Sequence, residues 1–240
     1  MIESNLNYSI FIEGVRSRDD NIKVLLDALK LSSNNVIYDD NKEGPLKSLI
    51  TGLSKFNNCT HNIILQDDCL LCNNFISICE QMIQTHPDKV IGLFPYDFLD
   101  EKVLPLESDS PYYGLKILSG VGIIFPSKYS KDFIEYAKEK GDPWKDDMSL
   151  RDFCLDFNIE MLQTIPAIIQ HIGDVPVIDK SNPYGIRRSK YFQENPIDID
   201  WKNKNINHLD YYSSQDKGRS GKIARSRRYM ESLVNRDRKR

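Results

Sequence analysis

Apolar residues fall in short blocks divided by polar breaks, and the spacing inside each block predicts an element. Asn7-Tyr8-Ser9-Ile10-Phe11-Ile12 predicts a first strand that ends at Glu13-Gly14. Over residues 21–31, Ile22, Leu25, Leu26 and Leu29 recur at helical spacing. Asn34-Asn35 breaks the chain, and Val36-Ile37-Tyr38 predicts a short second strand closed by Asp39-Asp40. Gly44-Pro45 then opens a helix with Leu46, Leu49, Ile50 and Leu53 on one face. Asn62-Ile63-Ile64-Leu65 predicts a third strand. A βαβαβ beginning calls for a parallel sheet with helices packed on it.

The pattern continues in the same style. A helix is expected over 73–85, a strand over 90–94, a strand over 120–125, a helix over 128–139, a helix over 146–158 and a strand near 159–164. Residues 97–114 are rich in Asp, Glu, Pro and Tyr and predict a long loop, with room for a small hairpin. Residues 172–216 show little periodicity and hold Pro176, Pro183 and Pro196, which suits an extended loop layer. The expected class is α/β, with a mostly parallel Rossmann-type sheet flanked by helices.

Charge changes this picture more than composition does. The 240 residues have a formal net charge of -3. Residues 217–240 hold ten Lys/Arg against two acids, a net of +8. Residues 1–216 therefore hold 22 Lys/Arg against 33 Asp/Glu, a net of -11. The chain divides into an acidic body, 1–216, and a basic tail, 217–240. A basic tail suits a polyanion, bound by release of counterions, and Tyr211, Tyr212 and Tyr229 add aromatic surfaces. A solvated end, or an anchor on an anionic membrane surface, would carry the same charge.

Mean hydropathy is -0.48 and the longest apolar runs are strand-sized, so no membrane span is expected. The first residues have neither a basic start nor an apolar core, so no secretory signal is expected. Five cysteines, an odd number, then suit reduced thiols in a cytoplasm. Cys69 and Cys72 form a CxxC, but Cys59, Cys79 and Cys154 supply no second pair for zinc. The sequence contains no GxxxxGK[ST], GxGxxG or GxSxG, which argues against P-loop, Rossmann dehydrogenase and α/β-hydrolase chemistry.

Three places can carry chemistry. In Ile63-Ile64-Leu65-Gln66-Asp67-Asp68, β-formers run straight into two acids. Ligand sites of parallel α/β sheets lie beyond the carboxyl ends of strands. Adjacent carboxylates there need a cation or a solvated turn, and a hard divalent cation shared with phosphates is one solution. The plainer reading is a cap by Asp68 or Asn73 on the next helix. In Pro166-Ala167-Ile168-Ile169-Gln170-His171-Ile172-Gly173, His171 ends an apolar stretch and has either a metal-ligand role or a loop hydrogen bond. In Gly141-Asp142-Pro143-Trp144-Lys145-Asp146-Asp147, acids precede a helix beside a tryptophan. That suits a pocket wall with a general base, and equally a helix N-terminus that favours acids. His61 and His86 are expected to be structural and His208 exposed.

Taken in order, these pieces resemble a GT-A-type glycosyltransferase. Gln66-Asp67-Asp68 is similar to that family's DxD motif, with Gln at the first position. More narrowly, Gly14-Val15-Arg16-Ser17-Arg18, Gln66-Asp67-Asp68, Gln170-His171-Ile172-Gly173 and Arg187-Arg188-Ser189-Lys190-Tyr191-Phe192 resemble small phage-encoded glycosyltransferases over most of residues 7–192. The resemblance implies Mn²⁺ or Mg²⁺ held by Asp68 and His171, with Asp67 beside the donor. It implies Asp147, or else Asp146, as the base of an inverting transfer. Arg16, Arg18, Asp39, Asp40 and Lys47 would hold base, ribose or phosphate of a nucleotide-sugar donor. Arg187, Arg188 or Lys190 would fold over the diphosphate.

The implied acceptor is a hydroxyl; a hydroxymethylated pyrimidine in phage DNA, inside the host cytoplasm, is the specific expectation, with a membrane-linked or protein acceptor as the alternative. Two other classes compete. A nucleotidyltransferase on a similar scaffold would want a richer glycine loop after strand one than Glu13–Arg18 offers. A nucleic-acid-binding protein without catalysis would explain the tail but not three ordered acidic or histidine positions.

Overall fold

The computed structural model describes residues 6–95, 109–114, 118–143, 145–173 and 187–208. Trp144, the 97–108 part of the expected loop, residues 174–186 and the tail 217–240 lie outside the described residues.

The chain opens β1 (Tyr8–Gly14), α1 (Asp19–Leu29), β2 (Val36–Tyr38), α2 (Pro45–Lys55) and β3 (His61–Gln66). There follow β4 (Cys69–Leu71), α3 (Phe75–Thr85), β5 (Val90–Gly92), β6 (Tyr112–Gly114) and β7 (Gly122–Pro126). The last elements are α4 (Ser130–Lys140), α5 (Asp146–Asp156), β8 (Met161–Thr164), β9 (Ile169–His171) and β10 (Asn207–His208). The expected βαβαβ order is present, with parallel pairing of β1 to β2 and β1 to β3.

Eight strands form one sheet in the order β10-β6-β8-β5-β7-β3-β1-β2. The sheet is mixed but mostly parallel: β7 runs against both β3 and β5, and β6 against β8. Period-two alternation sends neighbouring residues to opposite faces. Ile10, Ile12, Ile63 and Leu65 pack with Ile22 and Leu25 of α1 and Cys79 and Met82 of α3. Phe11 and Ile64 pack on the other face with Leu49 and Leu53 of α2, Phe133 of α4 and Phe153 of α5. Because both faces are covered, β3 is buried from His61 to Leu65, and its Ile63-Ile64-Leu65 run is continuous rather than alternating.

Several boundaries differ from the sequence pattern. β1 extends through Glu13 and Gly14 because their backbones pair with β2 and, at Glu13, with Gln66 of β3. The first helix starts at Asp19, whose acid suits the positive N-terminal end. The third helix starts at Phe75, and its N-cap, Asn74, is left-handed at φ 59 with no side-chain cap. The capping role for Asp68 or Asn73 is therefore not found.

The unexpected element is a second, two-stranded sheet. β4 pairs antiparallel with β9, setting Cys69 opposite His171 and Leu71 opposite Ile169. The Ile172 N–H also donates to the Asp68 carbonyl at 2.8 Å. This ribbon carries the His171 segment to the acidic end of β3.

Candidate functional site

The acids after β3 are set by backbone pairing before their side chains do anything. The Asp67 N–H donates to the Glu13 carbonyl at 3.0 Å, and Gln66 N–H donates to the Val121 carbonyl at 3.1 Å. Asp67 thus continues the sheet edge, and Asp68 enters β4. Asp67 Oδ2 accepts the Val15 N–H at 2.8 Å, tying the β1–α1 turn to the motif. That turn delivers Arg18.

Arg18 Nη1 lies 2.7 Å from Asp67 Oδ1 and 2.5 Å from Asp68 Oδ2. His171 Nε2 approaches the same Asp68 oxygen at 3.1 Å. Burial opposes the Asp68 charge, yet His171, Arg18 and Arg187 together hold its pKa below the ordinary value. At Asp67 burial wins over Arg18, and the pKa is raised. Asp68 Oδ1 and His171 Nδ1 are buried with no hydrogen-bond partner among the described residues. A Cβ at Gly173 would collide with Asp68 Oδ2 and stand 3.1 Å from Arg18 Nη2. The absent side chain is what lets these groups meet.

A second acidic group lies on the α5 side of the same sheet edge. Asp146 and Asp147 occupy the first turn of α5, whose N-cap is Lys145. Neither acid is the cap itself. A Cβ on Gly120 would stand 2.9 Å from Asp146 Oδ2, 3.2 Å from Gln66 Nε2 and 3.5 Å from Asp147 Cβ, so β3 and α5 converge at this glycine. Asp146 is buried; its carboxyl is pushed up to about 7 by burial and by the Asp147 charge, against its own helix-end N–H groups and Arg187. Asp147 is half-buried, and its Oδ1 accepts the Met148 N–H at 2.6 Å.

Glu13 is a site residue that the pattern did not single out. It is 6% exposed, and neither carboxyl oxygen has a hydrogen-bond partner among the described residues. Burial, then Asp146 and Asp67, raise its pKa well above the ordinary value. The available signal was an acid at the end of a parallel strand, in register with Gln66.

The remaining candidates divide. Arg187 is within electrostatic reach of both Asp68 and Asp146, so it links the two acidic groups. Arg188 donates to the His171 carbonyl at 2.5 Å and the Ile172 carbonyl at 3.3 Å, which ties it to the end of β9. Arg16 lies 3.5 Å over the Tyr38 ring and pairs with both Asp40 oxygens at 3.0 Å. This makes an exposed platform beyond β1 and β2. Asp39 accepts the Glu43 N–H at 2.7 Å and the Gly44 N–H at 3.0 Å, which shapes the turn into α2. Lys47 is exposed, faces Glu43 at 3.9 Å and is not brought to the acids.

Other histidines and cysteines are outside the cluster. His61 Nε2 lies 2.8 Å from the Pro87 carbonyl oxygen, His86 packs edge-on against Tyr112, and His208 is exposed. Cys69 Sγ donates to the Val121 carbonyl at 3.0 Å, and Cys72 is buried in the core. Among the described residues, no group of three His, Cys, Asp or Glu is arranged to hold a metal ion. Also among them, no helix is long and apolar enough to cross a membrane. No protein-family model matches the chain, and no curated protein matches it.

Proposed function

We propose that the chain is a glycosyltransferase of GT-A-like design, moving a sugar from a nucleotide diphosphate to a hydroxyl. One observation carries this reading. Two buried acids at the carboxyl end of a parallel strand meet an imidazole and a guanidinium, with a second acidic pair across the same edge. That is where an α/β sheet binds its ligand.

Asp68 and His171 would hold Mn²⁺ or Mg²⁺. Asp68 Oδ2 and His171 Nε2, 3.1 Å apart, fit such an ion when diphosphate oxygens and water complete its shell. Bound there, the ion supplies charge that neutralises the departing diphosphate. Arg187 adds a guanidinium suited to phosphate oxygens. The Arg16–Tyr38–Asp40 platform would take the nucleoside end of the donor.

Asp147 is the proposed base, because it is the more accessible of the pair. It takes the acceptor hydroxyl proton as that oxygen bonds to the anomeric carbon. The bond from that carbon to the diphosphate oxygen breaks, and its electron pair leaves with the diphosphate. This course inverts the anomeric centre. The proposed acceptor is a hydroxymethylated pyrimidine in DNA, supported by the +8 charge of residues 217–240.

The test is a transfer assay with UDP-, GDP-, TDP- and CMP-sugars, Mn²⁺, and DNA with or without hydroxymethylated pyrimidine. Released nucleotide together with sugar on the modified DNA supports the reading. Sugar on another acceptor would correct the acceptor alone. Retention of every donor intact, with DNA still bound, would favour a binding protein without catalysis.

A further inference from the structure

Arg18 occupies the ground that a metal at Asp68 would need. Its Nη1 bridges Asp67 Oδ1 at 2.7 Å and Asp68 Oδ2 at 2.5 Å. The Asp68 oxygen it touches is the one that faces His171 Nε2 at 3.1 Å. An ion joining Asp68 to His171 would sit about 2.1 Å from its ligand atoms. The guanidinium would then share a carboxylate with a divalent cation, and the two repel.

The surroundings favour an arginine here. Asp67 and Asp68 are adjacent and buried, and Glu13 and Asp146 lie close behind them. Leaving the two acids without a cation would be costly. Gly173 leaves open the space into which Asp68 Oδ2 and Arg18 Nη2 project. Asp68 Oδ1 and His171 Nδ1, on side chains more than nine-tenths buried, have no hydrogen-bond partner among the described residues.

Arg18 can also leave. It ends a short 3-10 turn between β1 and α1, and its side chain is 19% exposed while both acids are nearly closed off. A diphosphate is a better partner for a guanidinium than a carboxylate already claimed by a metal, because its oxygens match the bidentate fork.

Resting on the transferase reading of this site, we propose that Arg18 is its resident cation. It blocks the metal position at Asp68 until a diphosphate draws the guanidinium away. Metal and donor then bind with positive coupling, each tightening the other by the same factor. The empty protein holds a divalent ion weakly.

The test is a Mn²⁺ titration followed by electron paramagnetic resonance, with no nucleotide present. Wild type is compared with Arg18→Gln, Arg18→Lys and the double variant Arg18→Gln/Asp68→Asn. Arg18→Gln should bind Mn²⁺ at least tenfold tighter than wild type, and the double variant should lose that gain. Equal or weaker binding by a folded Arg18→Gln, or micromolar binding by wild type alone, would overturn the proposal. If circular dichroism shows Arg18→Gln unfolded, Arg18→Lys decides. A lysine cannot bridge both acids in the same way, so Mn²⁺ should bind a few-fold tighter than in wild type, and no gain overturns the proposal. Failure of the transferase reading would show separately, as no response to any nucleotide sugar in the transfer assay.

Discussion

Replacing Asp146 by Asn should change how stability depends on pH, and the sign follows from where the carboxyl sits. Asp146 is buried in the first turn of α5, beside Asp147 and within reach of Glu13. Its pKa rises from 3.8 to about 7, through burial first and then the Asp147 charge. The folded state therefore keeps a proton that the unfolded state gives up. Stability tied to this proton is full below pH 3.8 and is lost as pH rises toward about 7. Asp68, with its lowered pKa, acts in the opposite sense, at lower pH, and does not overlap this window.

At about 1.36 kcal/mol per pH unit, the interval from pH 4.5 to about 7 corresponds to about 3 kcal/mol. Relaxation around the charged form trims this to about 2–3 kcal/mol. The amide of Asp146→Asn keeps the shape and carries no charge at any pH. Urea unfolding at pH 4.5 and 8.5 measures the difference. Between the two, wild type should lose about 2–3 kcal/mol more than the variant, equivalent to roughly 4–12 °C in melting temperature for a chain of this size. A lost helix-end hydrogen bond would shift the variant equally at both pH values and cancels in this comparison. A gap independent of pH, or one that moves in favour of wild type between pH 4.5 and 8.5, would refute the assignment of a buried, raised carboxyl.

Gly173→Ala should cost about 1–3 kcal/mol by overpacking, read from urea unfolding, because its Cβ collides with Asp68 Oδ2. The same variant should lose any Mn²⁺-dependent response to a donor, which calorimetry of donor binding would record. Asp147→Asn should reduce the rate of sugar transfer by about 10²–10⁴-fold while leaving donor binding intact. A rate within tenfold of wild type would move the base to Asp146 or to another group.

How much the sequence disclosed depends on the range of each interaction. The end of β3 was legible because three β-formers run directly into Gln66-Asp67-Asp68, a signal contained in six residues. The Asp146-Asp147 start of α5 was legible for the same local reason. His171 could be flagged, but its partner strand could not. β4 and β9 are three residues each and join positions about a hundred residues apart, so neither stands out in a local window. The Arg18 bridge depends on a contact from residue 18 to residues 67 and 68 that no local pattern carries. Glu13 resembled an ordinary strand end, and its burial follows only when α5 closes over that face. Asp39 and Lys47 show the converse: both lie near the expected place in sequence, yet one shapes a turn and the other faces solvent.

The proposed role of Asp68, with His171, is to anchor a metal-dependent nucleotide-sugar site. The most direct measurement is a thermal-shift screen of UDP-, GDP-, TDP- and CMP-sugars, with and without Mn²⁺, on wild type and Asp68→Ala. A ligand that binds the folded state alone raises its melting temperature by mass action, about 2.7 kcal/mol at a hundred times its dissociation constant. Wild type should show a rise with one donor in the presence of Mn²⁺, lost in Asp68→Ala. No rise with any donor, or the same rise in the variant, would contradict this role.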